Sequence, residues 1–177
     1  MAQNDVMDRT EIVRSVFLVG LRDAHALEHQ ALALMDRQID HLTNYPEVEQ
    51  RLRTHRRETE HQIRRLEAIL EGLGESHSTL KDTALSISGN LMAFTHTFAP
   101  DEILKNSFAN FAFENFEIAS YKGLITVAEA GSFGEAIPLL NETLNEEVAM
   151  ARFCDEILPA VTKKYLHLRA AGETASH

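Results

Sequence analysis

Four stretches of this chain repeat apolar residues in steps of three and four, and in three of them a glutamate stands inside the apolar row. From about Thr10 to Leu42 the row reads Phe17, Leu21, Ala24, Glu28, Ala31, Met35, Leu42. From Pro46 to about Leu70 it reads Val48, Leu52, His55, Thr59, Gln62, Leu66, Leu70, with Ile63 and Ile69 beside it. After Pro100 it reads Ile103, Asn106, Asn110, Phe113, Glu117, Tyr121, Leu124, Ala128, and from Glu135 it reads Leu139, Thr143, Glu146, Met150, Phe153, Ile157. An α-helix turns about 100° per residue, so each row is one face of a long helix. Helices with a single apolar face must bury it against one another.

Punctuation between the rows sets the topology. Asn44-Tyr45-Pro46-Glu47 separates the first two helices, with Pro46 suited to a first helical turn. Gly72 and Gly74 end the second helix, Gly131 and Gly134 the third, and Pro159 is expected to kink or end the fourth. So short a turn makes each pair an antiparallel hairpin. Leu80–Phe98 reads as a weaker helix broken by Gly89, forming a long crossing between the hairpins. The fold expected is all-α, a four-helix bundle with one long connection as in ferritin-like proteins. Residues 1–177 form one domain in this reading, with a core over about 10–158 and a fraying tail over 159–177. No strand-like alternation or Gly-rich phosphate loop occurs.

Charge narrows the function. The chain carries 17 Lys+Arg against 27 Asp+Glu, a net charge of −10. Its arginines at 51, 53, 56, 57, 64 and 65 alternate with Glu49, Glu58, Glu60 and Glu67, the pattern of a solvated helix face with ion pairs. No basic stripe is left to neutralise phosphates, so nucleic acid is not an expected partner. No apolar run approaches the ~20 residues that span a bilayer. The acidic start, with Asp5, Asp8 and Glu11, lacks the order of a signal peptide. The single cysteine, Cys154, forms no intrachain disulfide and reads as a small core residue. A reducing compartment such as bacterial cytoplasm is the expected location.

Glu28, Glu117 and Glu146 are the chemical anomaly. Glutamate is seldom buried without a partner, and ionised carboxylates meeting in a core repel or take up protons. A pair of divalent cations supplies both charge and coordination, and oxygen ligands with an imidazole suit iron or manganese. Glu114 lies one turn before Glu117. His55 is in the second row and Glu58 one turn after it, on the flank. His61 lies nearly opposite the apolar face and is the lesser alternative to His55. Glu28 and Glu58 stand at similar distances from the first turn, as Glu117 and Glu146 do from the Gly131–Gly134 turn, so the carboxylates share one level. Gln62 and Tyr121 can orient them by hydrogen bonds. His25 and His29, beside Glu28, read as surface or supporting groups.

The strings Leu21-Arg-Asp-Ala-His-Ala-Leu-Glu28-His-Gln30, His55-Arg-Arg-Glu58-Thr59-Glu-His-Gln62, Glu114-Asn-Phe-Glu117-Ile-Ala-Ser-Tyr121 and Leu139-Leu140-Asn-Glu142-Thr-Leu-Asn-Glu146-Glu147 follow in order. Over about Thr10 to Leu158 the chain resembles the YciE/YciF-like proteins, a bacterial, ferritin-like, stress-associated family. The resemblance implies a ferritin-like bundle, paired as a homodimer, with a di-metal centre on Glu28, His55, Glu58, Glu114, Glu117 and Glu146. The chain departs from the wider di-iron pattern at Ala149, where a histidine would follow Glu146 by three.

Two functions are thereby expected in competition. In one, two iron or manganese ions react with oxygen or peroxide in redox chemistry or stress protection. In the other, the protein is a non-enzymatic structural or stress protein whose carboxylates bind metal for stability or not at all. Phe94, Phe98, Phe108 and Phe111, beyond the main rows, suggest burial against a partner copy in a homodimer, with cover by the crossing segment as the alternative.

Overall fold

The computed structural model describes residues 9–75 and 101–176. It contains four helices, α1 (Arg9–Ile39), α2 (Pro46–Gly72), α3 (Glu102–Ala130) and α4 (Ala136–Ala170), and no strand among the described residues. Pro46 opens α2 without a side-chain cap, and Gly74, at φ +80, supplies the left-handed turn after it. The crossing expected over Leu80–Phe98, with its short helix, lies outside the described residues, as do Phe94 and Phe98.

The helices form a square in which α1 touches α2 and α3, and α4 touches α3 and α2. Cross-helix pairs give the directions. Arg14 donates to the Leu73 carbonyl and Arg56 meets Asp36, so α1 and α2 are antiparallel. Gln38 bonds Asn110 while Tyr121 bonds Glu28, so α1 and α3 are antiparallel too. It follows that α2 and α3 run the same way, and that Glu75 and Asp101 lie at opposite ends of the bundle. This is the one-long-connection arrangement of a ferritin-like fold. Gly20 lets α3 come close to α1, since a Cβ there would lie 2.8 Å from Leu124 Cδ2.

Two apolar clusters fill the bundle above and below its middle. One gathers Phe17, Leu21, Leu66, Leu70, Tyr121, Leu124 and Leu140, capped by the stacked rings of Phe17 and Phe133. The other gathers Met35, Ile39, Leu52, Ile103, Met150, Cys154 and Val161. Cys154 is buried as expected, and burial pushes its thiol up to about 12.

The chain after Pro159 corrects the reading of a fraying tail. Helix α4 runs through Pro159 to Ala170, and Val161 and Leu168 are buried. Proline removes one helical hydrogen bond, but this apolar face goes on and its burial outweighs that loss. Residues 174–176 then strap the end of the bundle. Asn44 Nδ2 donates to the Thr174 carbonyl at 2.9 Å, the Tyr45 hydroxyl to Ala175 at 2.7 Å, and the Ile103 amide to Ser176 at 3.1 Å. Pro159 is exposed. Pro159→Ala is therefore expected to raise stability by about 2 kcal/mol, the recovered hydrogen bond less the chain entropy that proline withholds. Urea unfolding measures it, and an unchanged midpoint would contradict it.

Candidate metal centre

Between the two apolar clusters lies a belt of buried polar side chains: Glu28, His55, Thr59, Gln62, Glu114, Glu117, Thr143 and Glu147. Each helix contributes one or more. In α2 the polar members fall at His55, Thr59 and Gln62, in the same steps of four and three as the leucines around them. The belt is thus a break in the apolar faces at one level of the bundle.

His55 is the hub. Its Nε2 lies 3.3 Å from Glu114 Oε2 and 3.5 Å from Glu147 Oε2, and its Nδ1 lies 2.9 Å from Glu58 Oε2. His55, Glu114 and Glu147 each offer a ligand atom, all within 4.8 Å of one another, so this buried group could hold a metal ion. Glu28 and Glu117, each 1% exposed, are the other buried carboxylates of the belt. The Tyr121 hydroxyl donates to Glu28 Oε1. No well-aligned hydrogen bond reaches Glu28 Oε2, Glu114 Oε2, Glu117 Oε1 or Glu147 Oε2. Buried acceptors without donors are costly, and a cation among them would use those lone pairs. The donor set, oxygen-rich with one imidazole, fits iron or manganese.

Electrostatics reflect the crowding. Burial, opposed by Tyr121 and His55, lifts Glu28 to about 8. Burial first, then neighbouring carboxylates, lifts Glu117 well above the usual carboxylate range. Glu147 is raised by burial as well, although the His55 charge opposes it. Burial disfavours the His55 imidazolium, but Glu114, Glu58 and Glu147 outweigh burial and lift it to about 10. The His55 hydrogen bond, with help from Arg51, holds Glu58 down at about 2.

These shifts fix a pH dependence for the metal-free protein. His55 and Glu28 are both raised, from 6.5 to about 10 and from 4.5 to about 8. The folded state binds those protons more tightly than the unfolded one, so stability falls as pH rises through these windows. Glu58 acts oppositely and matters only as pH falls below its ordinary 4.5. Melting in EDTA is therefore expected to come at progressively lower temperature from pH 5.5 to 9. A melting temperature that rose over that range would contradict the assignment.

Glu28, His55 and Glu117 are buried in the core where their rows place them, Glu114, one turn from Glu117, is buried as well, and Glu58 stands on the flank, bonded to His55 and Arg51. His61 is exposed. Glu146 is the correction. Its side chain is 23% exposed and gripped by Arg65, while Glu147 is fully buried in its stead. The buried face of α4 runs Ala136, Leu140, Thr143, Glu147, Met150, Ala151, Cys154, Val161, Leu168. Measured from Thr143, Glu147 lies about 40° round the helix and Glu146 about 60° the other way, and most of the face falls on the Glu147 side. Small residues such as Ala136 and Cys154 mark that face. The larger Leu139, Phe153 and Ile157 lie beside it, half-buried, and draw the sequence reading off centre. His25 is buried with Nε2 3.4 Å from Glu67 Oε1, and His29 is exposed.

Known proteins share this architecture. Protein YciF of Escherichia coli strain K12 is 30% identical over 164 residues, 86% of this chain and 94% of that protein. The crystal structure of a protein from Xanthomonas campestris pv. campestris superposes with a TM-score of 0.75 at 26% identity, covering 89% of this chain and 99% of that one. The crystal structure of the E. coli stress protein YciF superposes with a TM-score of 0.64 at 24% identity, covering 82% and 94%. The family described as a domain of unknown function, DUF892, matches residues 13–167. With the bundle, its belt of carboxylates and this match along most of its length, the chain belongs to the YciF-like DUF892 family.

Proposed function

We propose that the belt is a di-metal centre for iron or manganese and that the protein serves oxygen- or peroxide-linked redox or stress protection. The observation that supports this most is four buried carboxylates around one buried histidine, each with an oxygen that no well-aligned hydrogen bond reaches. His55, Glu114 and Glu147 would hold one ion, and Glu28 and Glu117 extend the set toward a second. Such ions, when bound, exchange electrons with oxygen or peroxide. The residues of the chain do the rest. Glu58 accepts from His55 Nδ1, which leaves Nε2 as the ligand atom, the usual way a carboxylate fixes a metal-binding imidazole. Tyr121 and Gln62 orient Glu28 and Glu147. The apolar clusters on either side keep water out. The relation to a protein described as a stress protein is consistent with this use.

Elemental analysis of protein purified without chelator tests the reading, with anomalous scattering at the iron and manganese edges to place each ion. Ligands must be deprotonated to bind, and Glu28 and His55 hold protons near neutral pH. Metal uptake in weakly buffered solution at pH 7 is therefore expected to release protons, seen with an indicator dye. Uptake without release would contradict the assigned ligands.

The same family reading includes a homodimer. Phe108 is 54% exposed and Phe111 37%, with Phe116 and Val16 exposed as well. Light scattering that gave only monomer at high concentration would remove this part. The metal-free alternative, a structural protein, is favoured by one observation. Burial and neighbouring carboxylates favour the protonated forms of Glu117 and Glu147, and the His55 cation offsets part of the remaining charge. Elemental analysis separates the two.

A further inference from the structure

We propose that the seam between α2 and α4 is the route by which a divalent cation reaches the core, with Glu146 as the transfer carboxylate. The inference rests on the metal-centre reading. Arg51, Glu58 and Arg65 recur every seven residues on α2, so they stand in one file along its flank. Glu146 faces Arg65 from α4. Each of the two glutamates pairs with a half-buried arginine and also bonds a belt residue, His55 for Glu58 and Gln62 for Glu146.

Glu58 Oε2 lies 2.9 Å from both Arg51 Nη1 and His55 Nδ1. Glu146 accepts from Arg65 Nη1 at 2.7 Å and Nη2 at 2.9 Å, and from Gln62 Nε2 at 3.0 Å. The same Gln62 Nε2 donates to Glu147 Oε1 in the core. Glu142, more exposed, accepts from Arg65 as well and carries the acidic file out to solvent. The side-chain exposures of Glu142, Glu146 and Glu147 fall from 58% through 23% to 0%. At the inner end two fully buried oxygens lack a hydrogen bond: Gln62 Oε1, and Glu147 Oε2, whose near neighbour is His55 Nε2 at 3.5 Å.

Arginine is here the stand-in for the arriving ion. A hydrated cation at Glu142 and Glu146 would displace the Arg65 guanidinium, which can swing to solvent on its long stem. Rotation of the Gln62 amide would then turn Oε1 toward the cation and open the step to Glu147. By contrast, the α1/α3 seam near Gly20 is lined by Val16, Leu27, Phe116 and Leu124 and offers a cation little but Asp23 and Ser120.

Loading kinetics test the route apart from any activity. The chain has no Trp and three Tyr, one of them Tyr121 on Glu28, so Co²⁺ arrival can be followed by stopped-flow quenching of tyrosine fluorescence. Final metal content is measured by equilibrium dialysis with elemental analysis. Glu146→Gln is expected to slow loading roughly tenfold, and Arg65→Met to speed it, both ending at wild-type content. Arg65→Lys, which keeps the charge and loses the bidentate grip, should fall between, and it keeps the test alive if Arg65→Met does not fold. Loading at the wild-type rate by both Glu146→Gln and the arginine variant overturns the route. A lower final content for Glu146→Gln overturns it in another way, making Glu146 a resident ligand. Wild-type protein that takes up no Co²⁺, Mn²⁺ or Fe²⁺ sinks the metal centre itself, a result that the variants cannot mimic.

Discussion

His55→Leu is expected to lower the melting temperature of the metal-free protein by roughly 6–20 °C and to abolish any rise on adding metal. His55 is the central cation of the belt, 2% exposed and within 3.5 Å of Glu114 and Glu147. Removing one partner of a buried charge pair costs about 3–5 kcal/mol, because the other is left uncompensated. For a chain of this size each kcal/mol is worth about 2–4 °C. Leucine fills nearly the same space, so little of the loss comes from a cavity. Scanning calorimetry in EDTA reads the first effect. The second needs the same scan with Mn²⁺ or Fe²⁺, and a variant that still gained stability from metal would remove His55 from the ligand set.

Glu28→Gln separates a metal centre from a metal-free polar belt. The substitution preserves volume, and the Tyr121 hydroxyl can still donate to the amide oxygen. Burial and neighbouring carboxylates already hold Glu28 largely protonated near neutral pH, at about 8. In EDTA the variant is therefore expected to be neutral or stabilised, by up to about 1 kcal/mol, since a neutral amide takes the place of a group that resists ionisation. With metal the order reverses. A ligand at 100 times its dissociation constant stabilises the folded state by about 2.7 kcal/mol, or roughly 5–10 °C here. An amide is a poorer ligand for a hard cation, so the variant should lose most of that gain. Equal shifts for wild type and variant with iron, with manganese and with EDTA, and no bound metal in either, would sink the di-metal proposal.

How much of this was legible beforehand depends on what marks each helix face. In α2 the face is drawn by leucines spaced in fours and threes, and every residue of the predicted row, His55, Thr59 and Gln62 among them, is buried. In α1 the row through Glu28 holds in the same way. The α4 face mixes Leu140, Met150, Val161 and Leu168 with Ala136, Thr143, Ala151 and Cys154, whose small side chains carry little hydrophobic signal. The larger Leu139, Phe153 and Ile157 gave a plausible row one step aside, and it selected Glu146 over its neighbour. Pro159 misled for a related reason. Its local penalty is visible in sequence, whereas the contacts of Val161 and Leu168 that overcome it are tertiary. The Arg65–Glu146 fork could not be foreseen either, because it depends on how α2 and α4 are set against each other.

The strap over the end of the bundle has a consequence for amide exchange. The first amides of a helix have no acceptor within it and ordinarily exchange with solvent deuterium quickly. Ile103 stands in the first turn of α3, yet its amide donates to the Ser176 carbonyl and its side chain is 2% exposed. Its exchange therefore requires residue 176 to let go. The Ile103 amide becomes a clock for the undocking of the last turn of chain, readable without a label and independent of the unfolding of the helices. In a protein lacking residues 173–177 that clock should run at the rate of an open helix end, while amides in the middle of α3 keep their slow exchange.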